Sequence, residues 1–288
     1  MKKVAIVISF YNNLENLKAC LNSLKKTDYP NYKIFLVNDS KGIDIGKAIK
    51  TSGHTGFSKA YNVGIREALK WKPDYVLLLN DDTEIINENW LSRMVEVGEY
   101  YKNVGVLGCR IIYPDGSLQN LGGHMEGWQI TKEMLGWEEP FEVDHIMGSF
   151  MLIKKEVIDK IGLLDEIFNP YLLEDTDYCL RAKQEGFKVF SVPGVKIIHK
   201  KGKSVDTIPN YKRMFVRFKN DIIFSKRHLG IKDRLFRILI YLPLVAIFRK
   251  KSDEDELKFK NFRLRKWFPI NLILYVIAFF SVIWLRLR

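Results

Sequence analysis

The sequence predicts an α/β protein: a Rossmann-like, doubly wound and mostly parallel sheet flanked by helices, followed by a helical C-terminal region. Three observations predict it. Apolar runs at residues 4–9, 32–37 and 75–79 read as buried strands. Between them, residues 14–26 and 57–70 carry apolar positions at helical spacing, which gives the order β-α-β-α-β. Each run also stops in polar residues: Ser9 with Tyr11, Asn38-Asp39-Ser40, and Asn80-Asp81-Asp82.

The elements follow in order. The first run stands behind Met1-Lys-Lys, is too short for a signal peptide, and is ended by Tyr11-Asn12-Asn13. In the helix after it, Leu14, Leu17, Leu21 and Leu24 share one face. Residues 90–101 read as a helix, and 104–107 and 110–113 as strands. Residues 122–139 are rich in Gly, Trp and Glu without a period, so a loop or small subdomain is expected there. Then come a strand at 150–153, a short helix at 155–160, and a helix at 174–184 with Asp175 in its first turn. Short strands at 189–192 and 195–198 end at His199. Near residue 210 the character changes, so we divide the chain into 1–204 and 205–288. Residues 211–228 are amphipathic, basic and aromatic; 235–248 are apolar apart from Arg237; 250–266 are densely charged; 268–285 carry no charge.

With 47% hydrophobic residues the chain is a folding one, which excludes disorder as its main state. The net charge of +12 calls for an anionic partner. Basic residues are dense from Lys196 onward and flank apolar runs, so a membrane surface is expected and no nucleic acid. Cys20, Cys109 and Cys179 are far apart and show neither metal nor disulfide spacing, which suits a reducing compartment.

In an open α/β sheet ligands bind outside the C-terminal strand ends, and the three polar ends lie along one such edge. Two carboxylates and an amide at Asn80-Asp81-Asp82 suit a hard divalent cation bound by oxygen, with positions left for phosphate oxygens. Tyr11 could stack on a flat base and Asp39 could accept its N–H groups. Each residue alone could equally be a turn or a cap; together on one edge they read as a nucleotide site. The segment from His54 to Gly64 places Gly56 before a helix N-terminus that could favour a diphosphate, or else packs Asn62 and Gly64 on the sheet. Glu174 and Asp175 form a second acidic cluster: a general base, or acids matched to a helix dipole. His199 at a strand end could complete a coordination sphere begun at Asp82, or be structural.

Taken together, the motifs Val7–Asn12, Val37–Ser40, His54–Gly64, Leu78–Thr83, Gly148–Ile153, Ile161–Glu166 and Glu174–Ala182, with His199 last, resemble family 2 glycosyltransferases, from about Lys3 to His199. These are inverting nucleotide-sugar enzymes of the GT-A fold, and the resemblance is greatest to the rhamnosyltransferase-like branch. It implies that Ser9, Tyr11, Asp39, Gly56, Asn62, Asp81 and Arg181 serve the donor, Arg181 near the diphosphate or bracing the base helix. It implies Asn80, Asp82 and His199 around Mn2+ or Mg2+, Asp82 being the main ligand because Asn80 holds the first position of the D-x-D motif. It implies Asp175 as catalytic base beside Glu174. It further implies a nucleotide-diphosphate sugar donor, with UDP- or dTDP-sugars favoured, and a lipid-linked or glycan acceptor. Two other functions share this sheet: a non-catalytic sugar-nucleotide- or polysaccharide-binding protein, and a nucleotidyltransferase. The former has no use for a base, and the latter would need a Gly- and Lys-rich phosphate loop that Tyr11-Asn12-Asn13-Leu14 does not offer.

Residues 268–285 are about long enough to span a bilayer, with Trp267 and Trp284 at the ends. Residues 235–248 contain Pro243 and suit an interfacial or re-entrant helix. The basic link between them belongs on the cytoplasmic side, so one span or a monotopic anchor at the cytoplasmic face of the cell membrane is expected. The alternative is that both runs are core helices of a soluble homo-oligomer.

Overall fold

The computed structural model describes residues 1–133, 138–200, 209–250, 262–264 and 268–284. The first strand, β1 (Val4–Phe10), is buried on both faces; α1 (Leu14–Leu24) follows, with the Asn13 side chain accepting the Asn16 N–H at its start. Next come β2 (Tyr32–Asn38), β3 (Ile49–Lys50), α2 (Phe57–Leu69), β4 (Tyr75–Asn80), β5 (Thr83–Ile85) and α3 (Trp90–Tyr100). They are followed by β6 (Val104–Ile112), β7 (Leu118–Asn120), β8 (Met125–Glu126), β9 (Gln129–Ile130), β10 (Phe141–Val143), β11 (Phe150–Lys154), α4 (Lys155–Ile161), α5 (Glu174–Gln184) and β12 (Lys188–His199).

The main sheet runs β10-β12-β6-β11-β4-β1-β2-β3, with β5 added on β12 and β7 on β6. It is mixed, not mostly parallel as expected: β11 lies antiparallel between β4 and β6, and β10, β5 and β7 also pair antiparallel. The physical reason is that Phe150-Met-Leu-Ile153 is buried on both faces in either direction, so its apolarity carries no sign of strand direction. The runs expected as two strands at 104–113 are the single strand β6, and those at 189–198 are the single strand β12, which crosses Pro193-Gly194 with an irregular register between Val192 and Lys196.

Alternation along β1 divides the core. Val4, Ile6 and Ile8 pack on one face with Leu17, Trp90 and Met94. Ala5 and Val7 pack on the other with Tyr61, Ile65 and Tyr178. On that second face α2 approaches closely because of Gly64: a Cβ there would stand 2.4 Å from Val7 Cγ1 and 2.7 Å from Val37 Cγ2.

Residues 1–125 and 130–204 form one compact unit, and residues 126–129 and 205–288 a second. In the second unit α6 (Asn210–His228) packs on α9 (Phe268–Trp284), as does α8 (Leu242–Ile247), which continues α7 (Ile231–Phe236) through a π-turn at Arg237–Tyr241. Strands β13 (Phe248–Lys250) and β14 (Phe262–Leu264) pair antiparallel. Buried Arg237 donates to Asp221 and to the Trp128 carbonyl, so its charge is paired. Trp267, Leu285 and most of the charged link lie outside the described residues, as do residues 134–137 of the expected loop. Among the described residues no helix is long and apolar enough to cross a membrane.

Candidate active site

Parallel pairing in register aligns the three polar strand ends. Ser9 is opposite Val37 on one side and Asn80 on the other. Just past β1, the Tyr11 N–H donates to Asp81 Oδ2 at 3.0 Å, which ties the first end to the third. Burial pushes the Asp81 carboxyl up to about 7, the neighbouring charge of Asp82 adding to the effect. The Tyr11 ring lies against the His54 ring, centroids 4.6 Å apart. His54 has a positive φ of 55°, and its N–H donates to the Asp39 carbonyl.

Asp39 is buried and its carboxylate is spent on the loop. It accepts from the Thr51 hydroxyl at 2.6 Å, the Thr55 hydroxyl at 2.7 Å, and the N–H groups of Thr55 and Gly56 at 3.0 and 3.3 Å. Asp39 thereby braces residues 51–56, which carry His54 to Tyr11. Gly56 stands at the start of α2. It has φ of 92°, and a Cβ on it would stand 2.7 Å from Pro170 Cα. Two of the opening N–H groups of α2 bond within the protein, Phe57 donating to the Pro170 carbonyl at 2.7 Å and Lys59 to Asn169 Oδ1 at 3.4 Å. Asn62 is buried and faces the protein: it donates to the Leu164 carbonyl at 2.9 Å and Glu166 Oε1 at 3.0 Å, and accepts the Leu164 N–H at 3.1 Å. Arg181 donates to Asp177 at 2.8 Å and to the Ile161 and Leu163 carbonyls. Asn62 and Arg181 thus brace the segment at 161–166 and the start of α5.

Asp82 is buried, and its Oδ1 lies 3.2 Å from His199 Nε2. Antiparallel pairing of β12 with β5 sets His199 opposite Thr83 and creates this proximity. His199 Nδ1 stands 2.7 Å from Gln119 Oε1. An amide oxygen only accepts, so Nδ1 carries the hydrogen of this bond and Nε2 is the ring atom turned toward Asp82. The 3.2 Å separation is close to that of two cis ligands about 2.1 Å from an octahedral ion, which stand about 3.0 Å apart. Among the described residues no cluster of three His, Cys, Asp or Glu side chains is arranged for a metal ion. A Mg2+- or Mn2+-like ion fits this pair only with oxygens of a diphosphate or water in its other positions. The Asn80 side-chain oxygen accepts the Tyr61 hydroxyl at 3.0 Å and keeps a second lone pair. Sequence reasoning missed Gln119, which sits in a three-residue strand that shows no alternation long enough to read.

The acidic pair at the start of α5 reaches the same edge. Asp175 Oδ2 accepts the Gly148 N–H at 2.8 Å, and Ser149, the next residue, accepts the Asn80 N–H on its carbonyl at 3.0 Å. Two residues thus connect Asp175 to the end of β4. Gly148 makes this possible: a Cβ on it would stand 2.9 Å from Phe57 Cζ and 3.2 Å from Asp175 Cβ. Asp175 is half-buried, with its Oδ1 accepting the Thr176 N–H at 2.7 Å. Glu174 beside it is buried, and burial, then the Asp175 charge, raises its carboxyl well above the usual range. Leu172 and Leu173 both have positive φ, 84° and 74°, a strained entry that aims α5. His145, also missed, donates from Nε2 to the Thr131 carbonyl at 3.0 Å; burial lowers its affinity for a second proton, with Asp175 acting in the opposite sense.

The chain is similar to known glycosyltransferases in sequence and in fold. The dTDP-rhamnosyl transferase RfbF of Shigella flexneri is 27% identical, covering 87% of this chain and 90% of its own length. The low-salt glycan biosynthesis hexosyltransferase Agl10 of Haloferax volcanii is 29% identical over 71% of the chain and 70% of its own length. The chain spans only 29% of a longer relative, the uncharacterized protein y4gI of Sinorhizobium fredii, at 24% identity. By fold it is similar to GalNAc-T7, solved with UDP, GalNAc and Mn2+, at a TM-score of 0.59 and 16% identity over 82% of this chain and 54% of that one. It is similar also to a mannosyltransferase of Pyrobaculum calidifontis in complex with GDP-Man and Mn2+, at a TM-score of 0.56 and 12% identity over 97% of this chain and 74% of that one. The fold is therefore α/β and GT-A-like. The glycosyl transferase family 2 model matches residues 5–162, more than half of the chain and the stretch that carries all three polar strand ends, so the chain belongs to glycosyl transferase family 2.

Proposed function

We propose that the protein is an inverting glycosyltransferase that moves a sugar from a nucleotide-diphosphate donor to a hydroxyl of a lipid-linked or glycan acceptor at a membrane surface. The observation that carries this reading is the link from Asp175 through Gly148 and Ser149 to Asn80, which joins an acidic pair to an edge bearing Asp82 and His199. Tyr11 and His54 form the aromatic wall for the base, with Asp39 holding the loop behind them. UDP- and dTDP-sugars are the favoured donors: one relative is named a dTDP-rhamnosyl transferase, and the solved neighbours hold UDP in one case and GDP-Man in the other. Asp82 and His199 would hold Mn2+ or Mg2+, whose contribution when bound is neutralisation of charge on a departing diphosphate.

The chain's own residues do the rest. Asp175 takes the proton of the acceptor hydroxyl as that oxygen attacks the anomeric carbon. The bond to the diphosphate oxygen breaks on the opposite face, so configuration inverts and no sugar–enzyme bond forms. Gly148 holds Asp175 in place through its N–H. The test is a screen of nucleotide sugars with wild type and Asp175→Asn. The variant is expected to bind the donor with unchanged affinity and lose transfer by a factor of about 10²–10⁴. Transfer at the wild-type rate by Asp175→Asn, or no donor binding by either protein, would overturn the assignment.

A further inference from the structure

We infer that the second unit is a monotopic anchor that lies in the plane of an anionic membrane, its helices sunk to the acyl boundary and its cations on the headgroups. This deepens the membrane-surface reading above, but it stands on its own observations and makes no use of the catalytic assignment.

Charge is the first. Residues 205–288 hold nineteen Lys and Arg against seven Asp and Glu, whereas residues 1–204 hold twenty-seven of each. The whole +12 of the chain therefore belongs to its last 84 residues. An anionic surface attracts such a segment by mass of charge alone.

The second is an exposed apolar face on the same unit. Leu235, Leu239 and Leu244 lie at successive helical spacings along the run from α7 to α8, and Leu239 is 58% exposed. On α9, Ile273, Ile277 and Phe280 form the matching stripe, with Ile273 58% and Phe280 62% exposed. Such contiguous stripes mark an interaction surface.

The third is where α9 puts its polar atoms. Asn271 donates to the Ala246 carbonyl, and the Tyr275 hydroxyl donates at 2.6 Å to the Ile238 carbonyl in the π-turn. Ser281 donates to its own helix at Ala278. These groups are satisfied within the unit, and the face turned outward is apolar. A water-facing helix would do the reverse.

Among the described residues no helix is long and apolar enough to cross a membrane, and the described seventeen residues of α9 rise about 26 Å. The run from Ile231 to Ile247 is no longer and carries Lys232, Asp233, Arg234 and Arg237 in its first half. A second copy of the chain is the weaker occupant, because pairing these faces would bring two units of like charge together within about a Debye length.

The test uses the full chain with vesicles of phosphatidylcholine, alone or in equimolar mixture with phosphatidylglycerol. Flotation only with the mixed vesicles, relieved by salt, is expected. Lys212→Gln with Lys232→Gln should weaken it about 25-fold. Leu239→Glu with Ile277→Glu should abolish it while UDP binding to the first unit is unchanged. Single cysteines placed at Leu257 and Arg288 should both react with an impermeant maleimide on bound vesicles. Protection of one of the two means a span and overturns the inference. So does a salt-resistant dimer that ignores both vesicle types.

Discussion

Gly148→Ala should cripple turnover while leaving donor binding intact. The added methyl would stand 2.9 Å from Phe57 Cζ, 3.2 Å from Asp175 Cβ and 3.4 Å from Asp175 Oδ2. Ordinary carbon contacts begin at about 3.5 Å, so Asp175 must retreat by a few tenths of an ångström and Phe57 by more. Retreat also stretches the 2.8 Å bond from the Gly148 N–H that fixes the carboxylate. The overpacking itself costs about 1–3 kcal/mol of stability. A base displaced by a third to half of an ångström, where 1 Å is worth about 10²-fold, loses about 5–10-fold in kcat. Gly108→Ala is the control, since its methyl would stand 2.6 Å from Ile146 Cγ2 and should destabilise without that kinetic signature. Steady-state kinetics with an acceptor, UDP titration and chemical denaturation separate the terms. An unchanged kcat in Gly148→Ala, or equal kcat losses in both variants, would refute the reasoning.

Three further outcomes follow from the same structure. Gln119→Leu removes the acceptor that selects the His199 tautomer, so Mn2+ affinity in a paramagnetic resonance titration should fall about 10–100-fold, with Gln119→Glu restoring much of it; equal affinity in all three means that Gln119 only packs. Glu174 has its folded pKa raised above the ordinary value of 4.5, so below that value both states hold the proton and the fold is unpenalised. As pH rises above it the unfolded chain releases the proton first and stability falls, so the advantage of Glu174→Gln in urea denaturation should grow from about pH 5 upward; a constant difference across pH contradicts a neutral buried carboxyl. Asn62→Leu strands the buried Leu164 N–H and carbonyl, costing about 1–3 kcal/mol for each in stability, yet UDP affinity of the folded protein should not change; a selective loss of UDP binding would return Asn62 to the donor site.

Much of the first unit was legible in the sequence. The runs ending at Ser9, Asn38 and Asn80 needed only apolarity and abrupt polar stops to reveal three strand ends on one edge. Leu14, Leu17, Leu21 and Leu24 revealed α1 by spacing alone. The +12 and its confinement to the last 84 residues are facts of composition that no fold alters.

Tertiary structure decided the rest, because the deciding contacts join residues far apart in the chain. The direction of β11 follows from its neighbours β4 and β6, since a strand buried on both faces reads the same either way. Asp39, Asn62 and Arg181 carry the chemistry of ligand binders, yet each spends its polar atoms on the protein, and only the partners Thr55, Leu164 and Asp177 reveal that. Gln119 is an unmarked residue until β7 brings it, 80 positions away in sequence, to His199. Asp175 could have capped a helix and nothing more; it becomes a candidate base because a glycine at 148 lets its carboxylate meet a backbone N–H that a side chain would have kept away. Residue type determines which chemistry a position can perform, and the packing of distant segments determines whether its polar atoms are left to perform it.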